Sequence, residues 1–98
     1  MDRDLALAEI GRCESALRAR GVAAAYIFGS TARGEAHHDS DLDVFIEIEP
    51  NRKFSLIDLA GVQNLLATEL GVAVDVTTRS GLHPKLRAEI EREAVRAF

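Results

Sequence analysis

The 98-residue sequence predicts a small α/β or α+β fold, in which one mixed sheet is flanked by helices. Three short apolar segments have the length of strands, and two of them also alternate as strands do. The segments around them carry apolar residues at helical spacing. The elements follow the order α-β-α-β-α-β-α, with a short second helix. The composition, 47% hydrophobic and 29% charged, is ordinary for a globular protein. We therefore expect residues 1–98 to form one domain around one core.

The first two predicted elements are a helix and a strand. From Leu5 to Arg20, apolar residues recur at intervals of four, three and four, which places them on one helical face. Asp2 or Asp4 can cap the start of this helix, and Gly21 ends it. The uncharged segment Val22 to Phe28 then fits a strand that is buried on both faces.

A turn rich in small residues follows this strand. Ser30 and Thr31 are both good N-cap residues, so a short helix is expected to begin here with its N–H groups directed toward the strand end. Such N–H groups bind anions, and the turn starting at Gly29 is therefore a candidate phosphate site. It lacks the Gly-Lys-Ser/Thr ending of a P-loop, which disfavours a Walker-type ATPase.

The second strand is predicted for Leu42 to Ile48, where apolar residues alternate with Asp43, Phe45 and Glu47. Side chains at i and i+2 share a face, so Asp41 and Asp43 are expected to lie side by side. Two such carboxylates repel by roughly 4 kcal/mol at about 4 Å with an effective dielectric of about 20. A proton or a cation relieves this repulsion, and oxygen ligands favour Mg²⁺ or Mn²⁺.

A helix, a third strand and a last helix complete the prediction. Ser55 and Asp58 have the spacing of a capping box, which predicts a helix that ends at Gly71. The segment Val72 to Thr77 alternates as the third strand. Pro84 is suited to the first position of an amphipathic helix, which we expect to run to the end of the sequence.

Asp75 can join the acidic pair if the second and third strands are neighbours. Like Asp41 and Asp43, it lies opposite the apolar face of its strand. Because one Mg²⁺ needs only one or two carboxylates, three indicate two ions, or one ion and a nucleophile to be activated. Together with a phosphate-binding turn, they favour in-line displacement at the phosphorus of a nucleoside triphosphate. The alternative is a set of solvated carboxylates at strand ends.

Four segments of the chain resemble a known family. These are Gly29-Ser30, Ala32-Arg33-Gly34, Ser40-Asp41-Leu42-Asp43 and the later Asp75. They closely resemble the motifs of the minimal nucleotidyltransferases (MNT) of the DNA polymerase β-like superfamily, and the similarity covers nearly the whole chain. The resemblance implies the polymerase β-like fold.

The resemblance also implies a role for each matching residue. Gly29 and Ser30 would bind the triphosphate of ATP, and Arg33 would lie near the phosphates or support the turn. The carboxylates would hold Mg²⁺, with two ions expected and Mn²⁺ possible. Asp41 and Asp43 are the implied ligands of both ions. Asp75 is the implied ligand of one ion and would also help to activate the acceptor hydroxyl.

Small stand-alone members of this family are typically encoded beside a HEPN-domain protein and act as its antitoxin. The resemblance therefore implies a hetero-oligomer in which AMP passes from ATP to a tyrosine of the partner. The short chain independently favours an acceptor on another protein. The alternatives are an antitoxin that only binds and occludes its partner, and transfer to a small molecule or a nucleic acid.

Charge and hydropathy narrow the remaining possibilities. The net charge of −4 argues against a strong, sequence-independent grip on nucleic-acid phosphates. No apolar run approaches the length of a membrane span, so we expect no membrane contact and a cytoplasmic location. His37 and His38 fall at variable positions and are expected to be solvated loop residues. Arg52, Lys53 and Arg79 could contact phosphates or an acidic partner, although exposed basic residues are usually solvated.

Overall fold

The computed structural model describes residues 1–35 and 41–98, which contain a four-stranded mixed sheet in the order β3-β2-β1-β4. Strand β1 pairs antiparallel with both β2 and β4, and β2 pairs parallel with β3. The strands are β1 (Val22–Phe28), β2 (Leu42–Ile48), β3 (Val74–Thr78) and β4 (Val95–Arg96). The helices are α1 (Arg3–Arg12), α2 (Glu14–Ala19), α3 (Gly29–Ala32), α4 (Leu56–Leu70) and α5 (Arg87–Glu93), with a 3₁₀ turn at Arg79–Gly81.

The core lies on the face of the sheet that the longer helices cover. The predicted apolar faces of β2 and β3 are buried there, against side chains of α1, α2 and α4. This arrangement confirms the mixed α/β fold with helices flanking a small sheet. The principal members of this core are Ile10, Leu17, Ile27, Val44, Ile46, Val62, Leu66 and Val76. The opposite face of the sheet is consequently where the acidic residues of β2 and β3 lie.

The first predicted helix is in fact two helices. α1 ends at Arg12 and α2 begins at Glu14, because the N–H of Cys13 bonds to the carbonyl of Ile10, a tighter turn than an α-helix makes. The break redirects the chain so that Ile10 and Leu17 are both fully buried. The predicted N-terminal cap is confirmed, since Oδ1 of Asp2 accepts a hydrogen bond from the N–H of Leu5 at 2.8 Å.

The boundaries of α4 agree with the prediction. The side chain of Ser55 accepts from the N–H of Asp58, and the Asp58 carboxylate accepts from the N–H of Ser55, which completes the capping box. Gly71 ends the helix with a left-handed backbone, φ 69°. The chain then enters β3, which begins two residues later than predicted.

The predicted last helix is present as α5, but it neither begins at Pro84 nor runs to the end of the sequence. Pro84 lies in a turn before α5, and the helix is followed by the strand β4. The edge of β1 presents N–H and C=O groups that need partners, and the terminal residues supply them. The carbonyl of Ala25 accepts from the N–H of Ala97 at 2.8 Å, and the N–H of Ala25 donates to the carbonyl of Phe98 at 3.1 Å.

No helix in residues 1–35 or 41–98 combines the length and the hydrophobicity needed to cross a bilayer.

Candidate active site

Two of the predicted site residues, Asp43 and Asp75, occupy directly opposite positions in neighbouring strands. The parallel register of β2 and β3 pairs their Cα atoms, and on the other side of β2 Asp43 pairs with Phe28 of β1. Asp43, Asp75 and Phe28 therefore lie on the same face of the sheet, the face away from the core. Asp75 is exposed and Asp43 is partly buried. The prediction that Asp75 shares an acidic patch with Asp43 if their strands pair is thus supported by the register.

Asp41 lies immediately before β2 and is exposed. Burial raises the pKa of the Asp43 carboxyl, and the negative charges of Asp75 and Asp41 raise this pKa further. A smaller raising effect comes from Glu93, while the positive charge of Arg33 lowers the pKa. The negative charges of the acidic patch, which consists of Asp41, Asp43 and Asp75, therefore act together on the pKa of Asp43.

Gly29 is the closest part of the turn to this carboxylate. Its φ is +73°, and a β-carbon at this position would overlap Oδ2 of Asp43. A residue with a side chain would therefore be strained in its backbone and would displace the aspartate. The turn and the acidic patch can meet only because position 29 is a glycine.

The start of α3 differs from the prediction that Ser30 or Thr31 would be the N-cap. The helix begins at Gly29, and Phe28 is at the N-cap position. Phe28 keeps an extended backbone, φ −145° and ψ −175°, because it still pairs with Asp43 in the sheet. Ser30 consequently lies within the helix and Thr31 is buried.

The turn has a second carboxylate neighbour, Glu93, which sequence reasoning missed. Its Oε1 accepts a hydrogen bond from the N–H of Gly29 at 3.0 Å, and its Oε2 accepts one from Nη1 of Arg33 at 3.0 Å. Arg33 also donates from Nε to Glu35 at 3.1 Å, and the two carboxylates raise the pKa of its guanidinium. In the sequence, Glu93 is one of several acidic residues on the last helix, and its spacing to the turn carries no local signal.

A family model described as a nucleotidyltransferase domain matches residues 10–97. The chain belongs to the nucleotidyltransferase domain family. The prediction of this family and of a nucleotidyltransferase is thereby confirmed, and the matched range includes the turn, the acidic patch and Glu93.

Similar proteins agree with the assignment. A candidate protein adenylyltransferase of Methanocaldococcus jannaschii is 43% identical over 75 residues, which are 76% of this chain and 78% of the relative. The protein adenylyltransferase MntA of Thermococcus cleftensis is 36% identical over 75 residues, 76% of this chain and 74% of the relative. A solved structure of a candidate minimal nucleotidyltransferase is 39% identical with a TM-score of 0.81, and the match covers 97% of this chain and 95% of that chain.

A more distant structure has the same fold. It is a complex from Shewanella oneidensis of a tri-AMPylated HEPN toxin with its MNT antitoxin, and it matches with a TM-score of 0.68 at 17% identity. The match covers 98% of this nucleotidyltransferase and 71% of that chain.

Arg79 of the nucleotidyltransferase is engaged within the fold, so the expectation of a solvated side chain was wrong for it. Its guanidinium bonds to Glu47 of β2 and, at 2.6 Å, to Glu91 of α5. It also lies 5.4 Å from the ring centroids of Tyr26 and Phe45, which stack at 4.7 Å. Arg79 thus holds α5 against the sheet face that carries the acidic patch.

The donor set of the nucleotidyltransferase fits a magnesium ion. The carboxylates of Asp43 and Asp75 lie at opposite positions of the β2–β3 ladder, and Asp41 is close enough to raise the pKa of Asp43. Carboxylate oxygens are the hard donors that Mg²⁺ prefers. In residues 1–35 and 41–98, no three or more His, Cys, Asp or Glu side chains are arranged to hold a metal ion by themselves. In proteins, Mg²⁺ commonly completes its shell with phosphate oxygens and water. His37 and His38 lie outside the described residues.

Proposed function

We propose that this nucleotidyltransferase transfers AMP from ATP to a tyrosine hydroxyl of a HEPN-type partner protein and thereby acts as its antitoxin. The observation that carries the proposal is the contact of Gly29 with Asp43, whose strand neighbour is Asp75. This contact supports the proposal because it brings the turn that would bind the phosphates beside the carboxylates that would bind the metal. The curated relatives named as protein adenylyltransferases support the reaction, and the complex with an AMPylated HEPN toxin supports the partner.

The three aspartates have distinct proposed roles. Asp41 and Asp43 would hold two Mg²⁺ ions, and Asp75 would hold one of them. Bound Mg²⁺ would lower the pKa of the acceptor hydroxyl and neutralise the charge that develops on the leaving pyrophosphate. Asp75 is exposed and therefore accessible to an approaching tyrosine, and we assign it the activation of that hydroxyl, the role that the resemblance implies.

The turn would bind and orient the triphosphate. Gly29, which has no side chain, would let the phosphates come close to the main chain of the turn. Ser30 would offer its N–H group and its hydroxyl to the phosphate oxygens, and Arg33 would offer its guanidinium as a charged donor. In the transfer, the tyrosine oxygen bonds to the α-phosphorus, the bond from this phosphorus to the β-phosphate oxygen breaks, and pyrophosphate leaves. This use of ATP accords with a cytoplasmic location.

The test is transfer of label from α-³²P-ATP to the purified cognate HEPN partner in the presence of Mg²⁺. Asp41→Asn and Asp43→Asn are each expected to abolish labelling, whereas Asp4→Asn, which removes the same charge from an exposed helix position, leaves it intact. No labelling by the wild-type chain with a folded partner overturns the proposal. If the Asp41→Asn/Asp43→Asn variant still neutralises the partner, occlusion rather than transfer is the antitoxin mechanism.

A further inference from the structure

We propose that Glu93 is a positioning residue that clamps the two ends of the turn from Gly29 to Arg33, an inference that rests on the proposed function of that turn. The Glu93 carboxylate joins the main chain of Gly29, the first residue of the turn, to the guanidinium of Arg33, the last residue. Both hydrogen bonds are 3.0 Å long. Because the acceptor is charged, both bonds are of the stronger, charge-assisted kind.

The position of Glu93 is itself fixed from two sides. It is the last residue of α5, and the residues that follow it pair with β1 as β4. Earlier in α5, Glu91 is bonded to Arg79, which packs on the sheet. The Glu93 side chain is three-quarters buried, whereas that of Arg33 is about half exposed. A fixed carboxylate therefore restrains a side chain that would otherwise move freely in water.

The clamp has two consequences for the turn. Holding the N–H of Gly29 fixes the residue that contacts Asp43, and so sets the gap between turn and carboxylate. Holding Nη1 of Arg33 orients the guanidinium and still leaves donors for phosphate oxygens. An arginine has five N–H donors, and the bonds to Glu93 and Glu35 use two of them. Glu93 thus acts through Gly29 and Arg33 and does not contact the reacting atoms.

A competing interpretation is that Glu93 occupies the place of a substrate phosphate and must leave before ATP binds. The two interpretations predict opposite effects of the same substitution. If Glu93 positions the turn, its removal weakens nucleotide binding, whereas if it competes with phosphate, its removal strengthens binding.

The experiment compares Glu93→Ala with Glu89→Ala, which removes the same charge from an exposed position of the same helix. The probe is Mg²⁺ with AMP-PNP, titrated by calorimetry, and transfer kinetics with the cognate partner. Glu93→Ala is expected to raise Kd for AMP-PNP and KM for ATP about tenfold, with a smaller change in kcat. Glu93→Gln keeps one acceptor oxygen and is expected to lose less, and it serves if Glu93→Ala does not fold.

A double-mutant cycle separates positioning from general destabilisation. In an Arg33→Ala background, Glu93→Ala is expected to lose affinity by a smaller factor than in the wild type, because part of its effect passes through Arg33. Equal factors in the two backgrounds, an unchanged Kd, or a lower Kd in Glu93→Ala would each overturn the proposal.

The clamp can also be measured without nucleotide. Amide hydrogen exchange at Gly29 is expected to be at least tenfold faster in Glu93→Ala than in Glu89→Ala or the wild type. Equal exchange rates would refute the clamp even if AMP transfer is observed. Conversely, slow Gly29 exchange in a wild-type chain that neither binds AMP-PNP nor transfers AMP would refute the proposed function alone.

Discussion

Gly29 contacts Asp43 so closely that a β-carbon on the glycine would overlap Oδ2 of the aspartate. Gly71 matches Gly29 in backbone, φ +69° against +73°, but a β-carbon there meets no atom within 4 Å. In each alanine variant, backbone strain therefore lowers the free energy of unfolding by about 1–2 kcal/mol. Only Gly29→Ala also displaces the Asp43 carboxylate. We expect AMP transfer to fall at least a hundredfold in Gly29→Ala and less than twofold in Gly71→Ala, at comparable losses of Tm. Similar activities in the two folded variants would contradict this prediction.

The stability of the metal-free protein should depend on the charge of Asp43. Its folded-state pKa is raised above the unfolded value of about 3.9, so the folded state binds the proton more tightly and loses stability as pH rises through the interval between the two values. Above that interval, Asp43→Asn is expected to raise Tm by a few degrees while it abolishes transfer. The gain should disappear below about pH 3.9, where the wild-type carboxyl is protonated. Thermal unfolding from acidic to neutral pH checks both the sign and the interval.

Magnesium should stabilise the wild-type chain by relieving the same repulsion. Millimolar Mg²⁺ is expected to raise Tm at neutral pH, and EDTA should reverse the increase. In Asp43→Asn the response to Mg²⁺ should be much smaller, since both the repulsion and a ligand have been removed. An equal response in the two proteins would place the stabilising ion elsewhere.

Arg79 should contribute to stability through both its ion pairs and its aromatic contacts. Removing it is expected to cost about 1 kcal/mol, because solvent weakens the ion pairs and the contacts with Tyr26 and Phe45 add to them. For a chain of this size, this corresponds to a Tm decrease of about 4–8 °C. Arg87→Ala is the matched control, since Arg87 approaches the same Glu91 at 3.6 Å. A loss in Arg87→Ala equal to that in Arg79→Ala would assign no role to the aromatic contacts.

The parts of the fold that depend on neighbouring residues were predictable from the sequence. The uncharged segment before Gly29 located β1, and alternation located β2, both at their observed boundaries. The capping box and the glycine located α4. The opposite position of Asp43 and Asp75 followed once their strands were known to pair. Side-chain periodicity is a local property, so these element boundaries are encoded locally, whereas the pairing of β2 with β3 is not.

The features that depend on distant contacts were not predictable in the same way. β4 is a strand because the edge of β1 offers hydrogen bonds, although its own residues continue a helical pattern. The break at Cys13 allows two helices to reach one core. Glu93 reaches Gly29 across 64 positions of sequence, a separation that no motif spacing expresses.

The opposite placement of Asp43 and Asp75 in a parallel ladder has a consequence for how proteins of this fold can diversify. Their Cα separation is the distance between neighbouring strands, about 4.8 Å, and main-chain hydrogen bonds over the buried core maintain it. Substitutions in the helices or in exposed loops therefore leave this distance unchanged. Under the proposed function, the acceptor could change through residues on the surface, while the spacing of these two proposed metal ligands is a property of the backbone.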